Sequence, residues 1–330
     1  LTPETLIDRF ERHLNYLRIS ITDRCNLRCI YCMPRELIPK LAHADVLRYE
    51  EILRAARVAA RLGVTKLRIT GGEPLVRKDA CDLLARLTAL PGIREVSLTT
   101  NGILLAERLE AVRAAGVRRI NVSLDSLDPR RYAAITGGDH FHRVWEGLQA
   151  ALAMGMHPVK INVVALRGVN EEELADFARL TLAHPFHVRY IEHMPIGTSA
   201  FQPGNPLLTP EIQARLAPLG PLEPVPPSAE DGPAQRFRLP GARGEIGFIS
   251  ALSHHFCRRC NRLRLTASGL LRPCLLSDRQ EDLRTPLRAG APDEALAAVF
   301  LQAVRHKPDG HHIGQGVAET VCGQMSAIGG

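Results

Sequence analysis

Cys25, Cys29 and Cys32 fall within eight positions of "SITDRCNLRCIYCMP", and no fourth cysteine follows in that stretch. A metal site built only from protein normally takes four ligands, so this group is one short. CxxxCxxC on a loop lets three thiolates converge on one iron–sulfur cubane, leaving one iron open to a ligand from outside the chain. The competing chemistry is zinc, held by the same thiolates plus a distant His13 or His43. Zinc sites more often show CxxC pairs.

A second group lies in "HHFCRRCNRLRLTASGLLRPC", where Cys257 and Cys260 are followed after thirteen residues by Cys274. Taken alone it suits a zinc ribbon turning at "ASG", with His254 or His255 as fourth ligand, although Ser277 stands where a ribbon's last cysteine would fall. The alternative is a second open-site iron–sulfur cluster. Arg262 and Arg264 alternate on one strand face between these cysteines. Two guanidiniums there suit a phosphate or a purine edge; the alternative is an exposed basic strand.

Such groups need a frame. The strand candidates are "YLRISI", "KLRIT", "REVSLTT", "RRINVSL", "PVKINVV" and "HVRYIE", separated by helical patterns such as "YEEILRAARVAARLG", "DACDLLARLTAL" and "EEELADFARLTL". Repeated βα units imply a parallel sheet with right-handed crossovers. Strands buried on both faces should read as continuous hydrophobics, yet these alternate. Leu17, Ile19 and Ile21 oppose Arg18 and Ser20; Leu67 and Ile69 oppose Lys66, Arg68 and Thr70. Asn121, Ser123, Lys160, Asn162 and Arg189 continue the polar face. The expected fold is α/β: a partial (β/α)6 TIM-like barrel with a wet, cationic lumen, against the alternative of a sheet open to water on one side. Cations in a lumen call for an anion, such as a triphosphate. The strands end in the cysteine loop, "TGGEP", "TTNG", "SLDS" and "EHMP", at the face where barrel chemistry collects. After the Pro-rich "APLGPLEPVPPSAEDGPAQRF", short strands near "QRFRL", "EIGFIS" and "NRLRLT" suggest a small C-terminal β-rich domain. The division falls near 218: a barrel domain over 1–217 and a second domain over 218–330.

A net charge of +7 favours an anionic partner. Aromatic content of 5% argues against single-strand nucleic-acid binding by base stacking. No apolar run is long enough to span a membrane, and "LTPETLIDRF" lacks a signal peptide's segments, so a cytoplasmic location is expected. Cysteines in a reducing compartment are ligands or free thiols rather than disulfides. Cys81 reads as a small core residue, Cys322 has no assigned role, and His311 and His312 default to an exposed loop.

The CxxxCxxC spacing with Tyr31 before its last cysteine closely resembles the signature of the radical S-adenosylmethionine superfamily. "GGEP", residues 71–74, matches the second motif of that superfamily, whose members share a partial six-stranded barrel. With CxxCx13C, "NRLRLT" and a terminal Gly-Gly, the resemblance extends over nearly the whole chain to the branch acting on GTP at the start of molybdenum cofactor synthesis. That branch usually has Gly where Glu11 stands.

The resemblance implies two 4Fe–4S clusters, one on Cys25, Cys29 and Cys32 and one on Cys257, Cys260 and Cys274. S-Adenosylmethionine would complete the first, lined by Tyr31, Gly72, Ser123 and Met194. Arg18, Arg68, Thr99, Lys160, Arg262, Leu263 and Arg264 match GTP-binding positions, and Arg189 is added by strand alternation. Arg262, Arg264, Gly329 and Gly330 are implied catalytic positions. Implied partners are GTP, a flavodoxin- or ferredoxin-type electron donor and the next pathway enzyme, cyclic pyranopterin monophosphate synthase, with neither nucleic acid nor membrane; a homodimer is allowed. Two alternatives stay open: a peptide-modifying member of the same superfamily, and a zinc-bearing basic protein that binds nucleic acid.

Overall fold

The structure, a computed structural model, describes residues 5–34, 39–201, 204–226, 232–311, 313, 321 and 323–329. The six expected strands form as β1 Tyr16–Ser20, β2 Lys66–Thr70, β3 Glu95–Thr100, β4 Arg119–Ser123, β5 Val159–Ala165 and β6 His187–Glu192. They pair in chain order, each parallel to the next. Sequential pairing is what a barrel-type progression requires, because a doubly wound sheet reverses order at a switch point.

The C-terminal strands are β7 Glu223–Pro224, β8 Gln235–Arg238, β9 Glu245–Ile249, β10 Arg262–Leu265, β11 Leu270–Arg272 and β12 Glu281–Asp282. They continue the same sheet at both ends, in the order β12-β11-β10-β1-β2-β3-β4-β5-β6-β9-β8-β7. β10 runs parallel to β1 and β9 parallel to β6, so eight adjacent strands are parallel. The strand-rich C-terminal region thus covers both edges that a six-stranded partial barrel would leave open.

Helices α1 Tyr49–Arg61, α2 Ala80–Thr88, α3 Leu105–Ala114, α4 Pro129–Thr136, α5 Phe141–Ala153 and α6 Leu174–Ala183 fill the crossovers, followed by α7 Thr209–Leu216. α8 Arg284–Arg288, α9 Asp293–Arg305 and α10 Met325–Ile328 complete the chain. In α1 the stripe Ile52, Ala55, Ala56 and Ala59, at helical spacing, is fully buried. It shares one core with the apolar strand face of Leu17, Ile19, Leu67, Ile69, Leu98 and Ile120, also without exposure. Cys81 is half-buried and packs against this core.

The polar strand face is less wet than its composition suggests. Arg18, Ser20, Ser97, Asn121, Lys160 and Arg189 are all buried. The sheet open to water on one side is therefore excluded: cavity-lining residues come from β1 to β6 and from β9 and β10, so the sheet curls around them. Glu11 takes φ 62°, the left-handed region that favours glycine, which gives the departure from the family residue a local cost.

Candidate active site

The first cysteine loop leaves β1 and is pinned by the turns that end its neighbours. Gly72 N donates to Thr22 O at 2.7 Å and Glu73 N to Arg24 O at 2.8 Å. A Cβ on Gly71 would lie 2.6 Å from Thr22 O, and one on Gly72 2.4 Å from Arg24 O. "GG" is therefore required by backbone approach, independent of any ligand. Glu73, fully buried, accepts from Thr100 Oγ1 at 2.8 Å, Asn101 N at 2.6 Å and Leu75 N at 3.0 Å. Burial pushes its carboxyl up to about 7 against those donors. Asn101 Nδ2 in turn reaches Cys25 Sγ at 3.8 Å.

The aromatic of the signature is held by the end of β4. Tyr31 Oη donates to Asp125 Oδ2 at 2.7 Å, while Asp125 Oδ1 accepts from Val164 N at 2.8 Å. Burial raises Asp125 to about 6. Burial pushes the Cys32 thiol up to about 12, with Asp125 and Cys25 adding to the rise. Cys29 is raised by burial and then by Cys32, Asp125 and Cys25. Three thiols that disfavour one another's ionisation line one cavity, and bound iron would withdraw that charge. Among the described residues no three His, Cys, Asp or Glu side chains group tightly enough for a single metal ion.

The second group uses a hairpin. Cys260 precedes β10 and Cys274 follows β11, so the thirteen-residue spacer folds back and brings them together. Cys257 begins a 3-10 turn, with Cys260 N bonded to Cys257 O at 3.0 Å. Arg12, ion-paired to Asp8 at 2.6 Å, donates to Cys257 O at 2.7 Å and Pro308 O at 2.6 Å. Burial would raise the Cys260 thiol, but Arg262 and Lys307 pull it down to about 6.

All six of these cysteines line one cavity, together with Arg18, Arg68, Thr99, Arg189, Arg262 and Arg264. Tyr31, Gly72, Ser123 and Met194 line it too. Register explains the clustering: Arg18 sits between Arg68 and Arg264 on adjacent strands. Burial, and then Arg264 and Arg68, lower the Arg18 guanidinium from its ordinary value. Thr99 Oγ1, Asn162 Oδ1 and Tyr16 Oη are buried at the cavity without a hydrogen-bond partner among the described residues. Massed cations with orphaned polar atoms suit a polyanionic, hydrogen-bonding ligand.

Two expected residues stand apart. Lys160 shares the lumen face but lies beneath the cavity lining; burial, then Arg189, Arg68 and Arg119, pull it down to about 6. Leu263 pairs with Leu17 on the apolar face and is 1% exposed, so its side chain belongs to the core. Gly329 is seated at the lumen: its carbonyl accepts from Arg264 Nη1 at 2.9 Å, and a Cβ there would come 2.4 Å from Thr70 Oγ1. Gly330, Cys322 and His312 lie outside the described residues. His311 is not on an exposed loop: it is buried, with Nε2 2.7 Å from Ala251 O, because the segment after α9 folds over Cys257. Sequence reasoning missed Asp125, Glu73, Asn101 and Lys307. The first three sit in strand-end motifs, "SLDS", "GGEP" and "TTNG", that already marked the chemical face; Lys307 had no local signal.

A strongly curled parallel sheet with three thiols on its first loop defines a radical S-adenosylmethionine protein, and the Radical SAM superfamily model matches residues 19–181. The Molybdenum Cofactor Synthesis C model matches residues 186–313. GTP 3′,8-cyclase of Moorella thermoacetica is 53% identical, covering 98% of this chain and 99% of that protein. The same enzyme of Pelotomaculum thermopropionicum is 52% identical over 98% and 99%. The chain belongs to the GTP 3′,8-cyclase family. Streptococcus suis SuiB bound to S-adenosylmethionine shares the fold, with TM-score 0.59 and 15% identity over 87% of this chain and 67% of that one. Membership brings a 4Fe–4S cluster and S-adenosylmethionine. No described helix is long and apolar enough to cross a membrane.

Proposed function

We propose that this chain converts GTP to 3′,8-cyclo-7,8-dihydroguanosine 5′-triphosphate, the first step of molybdenum cofactor biosynthesis. The observation that carries this is one cation-lined cavity with a three-thiol group at each side, in a chain similar to GTP 3′,8-cyclases along nearly its full length. Cys25, Cys29 and Cys32 hold the first 4Fe–4S cluster, and S-adenosylmethionine lies against Tyr31, Gly72, Ser123 and Met194. Bound together, these groups supply one-electron reduction of the sulfonium and hydrogen-atom abstraction at C3′ of GTP.

The remaining residues bind and orient. Arg18, Arg68, Lys160 and Arg189 neutralise the triphosphate, while Thr99 offers its unpartnered hydroxyl. Arg262 and Arg264 reach from β10 toward the nucleotide, and the Leu263 backbone passes between them. Cys257, Cys260 and Cys274 would hold a second 4Fe–4S cluster in the same cavity. Gly329 steadies Arg264 through its carbonyl, and Gly330 is a further catalytic position of this reading. Rigid placement by several cations fixes C3′ and C8 for ring closure and keeps water from the reacting atoms.

The same reading makes 1–217 the barrel domain and 218–330 the auxiliary domain of a cytoplasmic enzyme. A flavodoxin- or ferredoxin-type protein supplies the electron, cyclic pyranopterin monophosphate synthase takes the product, and a homodimer is allowed. The test is anaerobic reconstitution followed by iron, sulfide and zinc analysis, then S-adenosylmethionine cleavage with and without GTP. About eight irons with matching sulfide and GTP-dependent cleavage are expected. Two zincs with little iron would overturn the proposal.

A further inference from the structure

Lys307 follows the C-terminus of α9, where no sequence pattern marks it, and is 2% exposed. Its ammonium has three protons and meets three acceptors: Pro273 O at 2.6 Å, Arg262 O at 2.9 Å and Cys260 Sγ at 3.6 Å. A full set of acceptors is the environment a buried ammonium needs to stay charged. The three lie at strategic points. Cys260 is a thiol of the second group, Pro273 directly precedes Cys274, and Arg262 is the first residue of β10. The chain beyond Lys307 is itself fixed, since Arg12 donates to Pro308 O at 2.6 Å and Asp309 O at 3.2 Å. Among the described residues no lysine ammonium is hydrogen-bonded to a thiol of the first cysteine group; Asn101 reaches Cys25, Tyr31 is tied to Asp125, and Lys40 acts on Cys25 only through its charge.

We infer that Lys307 is a positioning residue of the second cysteine group, which ties Cys260 to the Cys274 segment and places a buried positive charge that raises the reduction potential of the cluster held there. This rests on the proposal that the second group holds a 4Fe–4S cluster. The physical basis is general: hydrogen bonds to cluster sulfurs, net charge and solvent exposure set iron–sulfur potentials, and outer partners of metal ligands tune the metal. A cation favours the reduced, more negative cluster, so its removal lowers the potential.

The experiment compares Lys307→Met, Lys307→Gln and Lys307→Arg with the parent, each anaerobically reconstituted. Iron and sulfide are counted, and the midpoint of each cluster is followed by spectroelectrochemical titration with electron paramagnetic resonance. Expected is a second-cluster midpoint moved to more negative values in Met and Gln, held close to the parent in Arg, with the first cluster unmoved in all. Loss of the second cluster in Met and Gln but retention in Arg would equally support a requirement for the charge. An unshifted midpoint in Gln, or loss of the second cluster in all three, overturns the inference. About half the expected iron with zinc in the parent protein would instead overturn the second-cluster reading itself, and is read before any variant is made.

Discussion

Asp125 and Glu73 bear on the group Cys25, Cys29 and Cys32, with Lys40 opposing them at Cys25, whereas Arg262 and Lys307 bear on Cys260, although both groups open onto the same cavity. Asp125 adds to the burial-driven rise of Cys29 and Cys32. Arg262 and Lys307 lower Cys260 instead. The support differs as well. The first group is held by the ends of β2, β3 and β4, which are sequence neighbours in the barrel. The second is held by a hairpin, by Arg12 and by the chain after α9, segments far apart in sequence. Negative surroundings disfavour the reduced form of a cluster and positive ones favour it, so on the proposed two-cluster reading the two sites would differ in reducing power. The lesson is that equal ligand counts leave the electrostatic surroundings unspecified; those depend on which segments the fold brings alongside.

The largest expected effect would break the comparison if it failed. Cys29→Ala should lose about half the iron and lower activity by about a thousandfold or more, while Cys260→Ala should spare the first cluster's signal. Iron lost together from both sites, measured after reconstitution, would mean that they assemble as one unit. Gly329→Ala joins a forbidden contact with Thr70 to a φ of 86°. It should reduce turnover by about a hundredfold, the cost of misplacing a bound substrate by about an ångström, with both clusters spectroscopically intact. Asp125→Asn removes the nearest carboxylate and weakens the Tyr31 tether; a loss of about 10- to 100-fold in activity is expected. The first cluster's midpoint should rise and the second should not move.

A smaller effect lies away from both groups, at Lys160. Its pKa falls from 10.5 to about 6, so at neutral pH the free protein holds it mostly neutral. A triphosphate favours the charged form, and binding should take up a proton, measurable by calorimetry in buffers of different ionisation heat. Affinity for GTP should therefore fall as pH rises above about 6. For stability the sign is opposite: between the folded and ordinary pKa the unfolded chain binds more protons, so this group's contribution rises with pH. The smallest effect sharpens the contrast in support. Glu11→Gly relieves a left-handed backbone beside the Arg12 anchor and should raise stability by about 1 kcal/mol, with iron content unchanged in thermal and metal assays.

Much of the barrel was legible because its information is local. Period-two alternation in "YLRIS", "KLRIT" and "VKINVVA" placed Arg18, Arg68 and Lys160 on one face, and the structure keeps them there. The cysteine spacings likewise marked both groups. Partnerships between distant segments left no trace in any short window. Nothing in "RHKPDG" indicates that Lys307 meets Cys260, and nothing in "NRLRLT" says that its strand lies parallel to β1. His311 was misread for the same reason, since a polar pair near a terminus looks exposed until its cover is known. The lumen was expected wet because its residues are polar; the C-terminal region and the Gly329 tail bury them.

The pairing of β1 with β10 also bears on how the chain is made. Asn15 and Asn261, which join side chains beside this pair at 2.8 Å, are 246 positions apart. At a synthesis rate of about 5–20 residues per second, roughly 12–50 s separate the emergence of β1 from that of its outer neighbour. Throughout that interval β1 offers unpaired peptide groups to any passing strand, a hazard for aggregation. The ribosome-bound intermediate, more than the finished enzyme, is where this fold is expected to depend on chaperones.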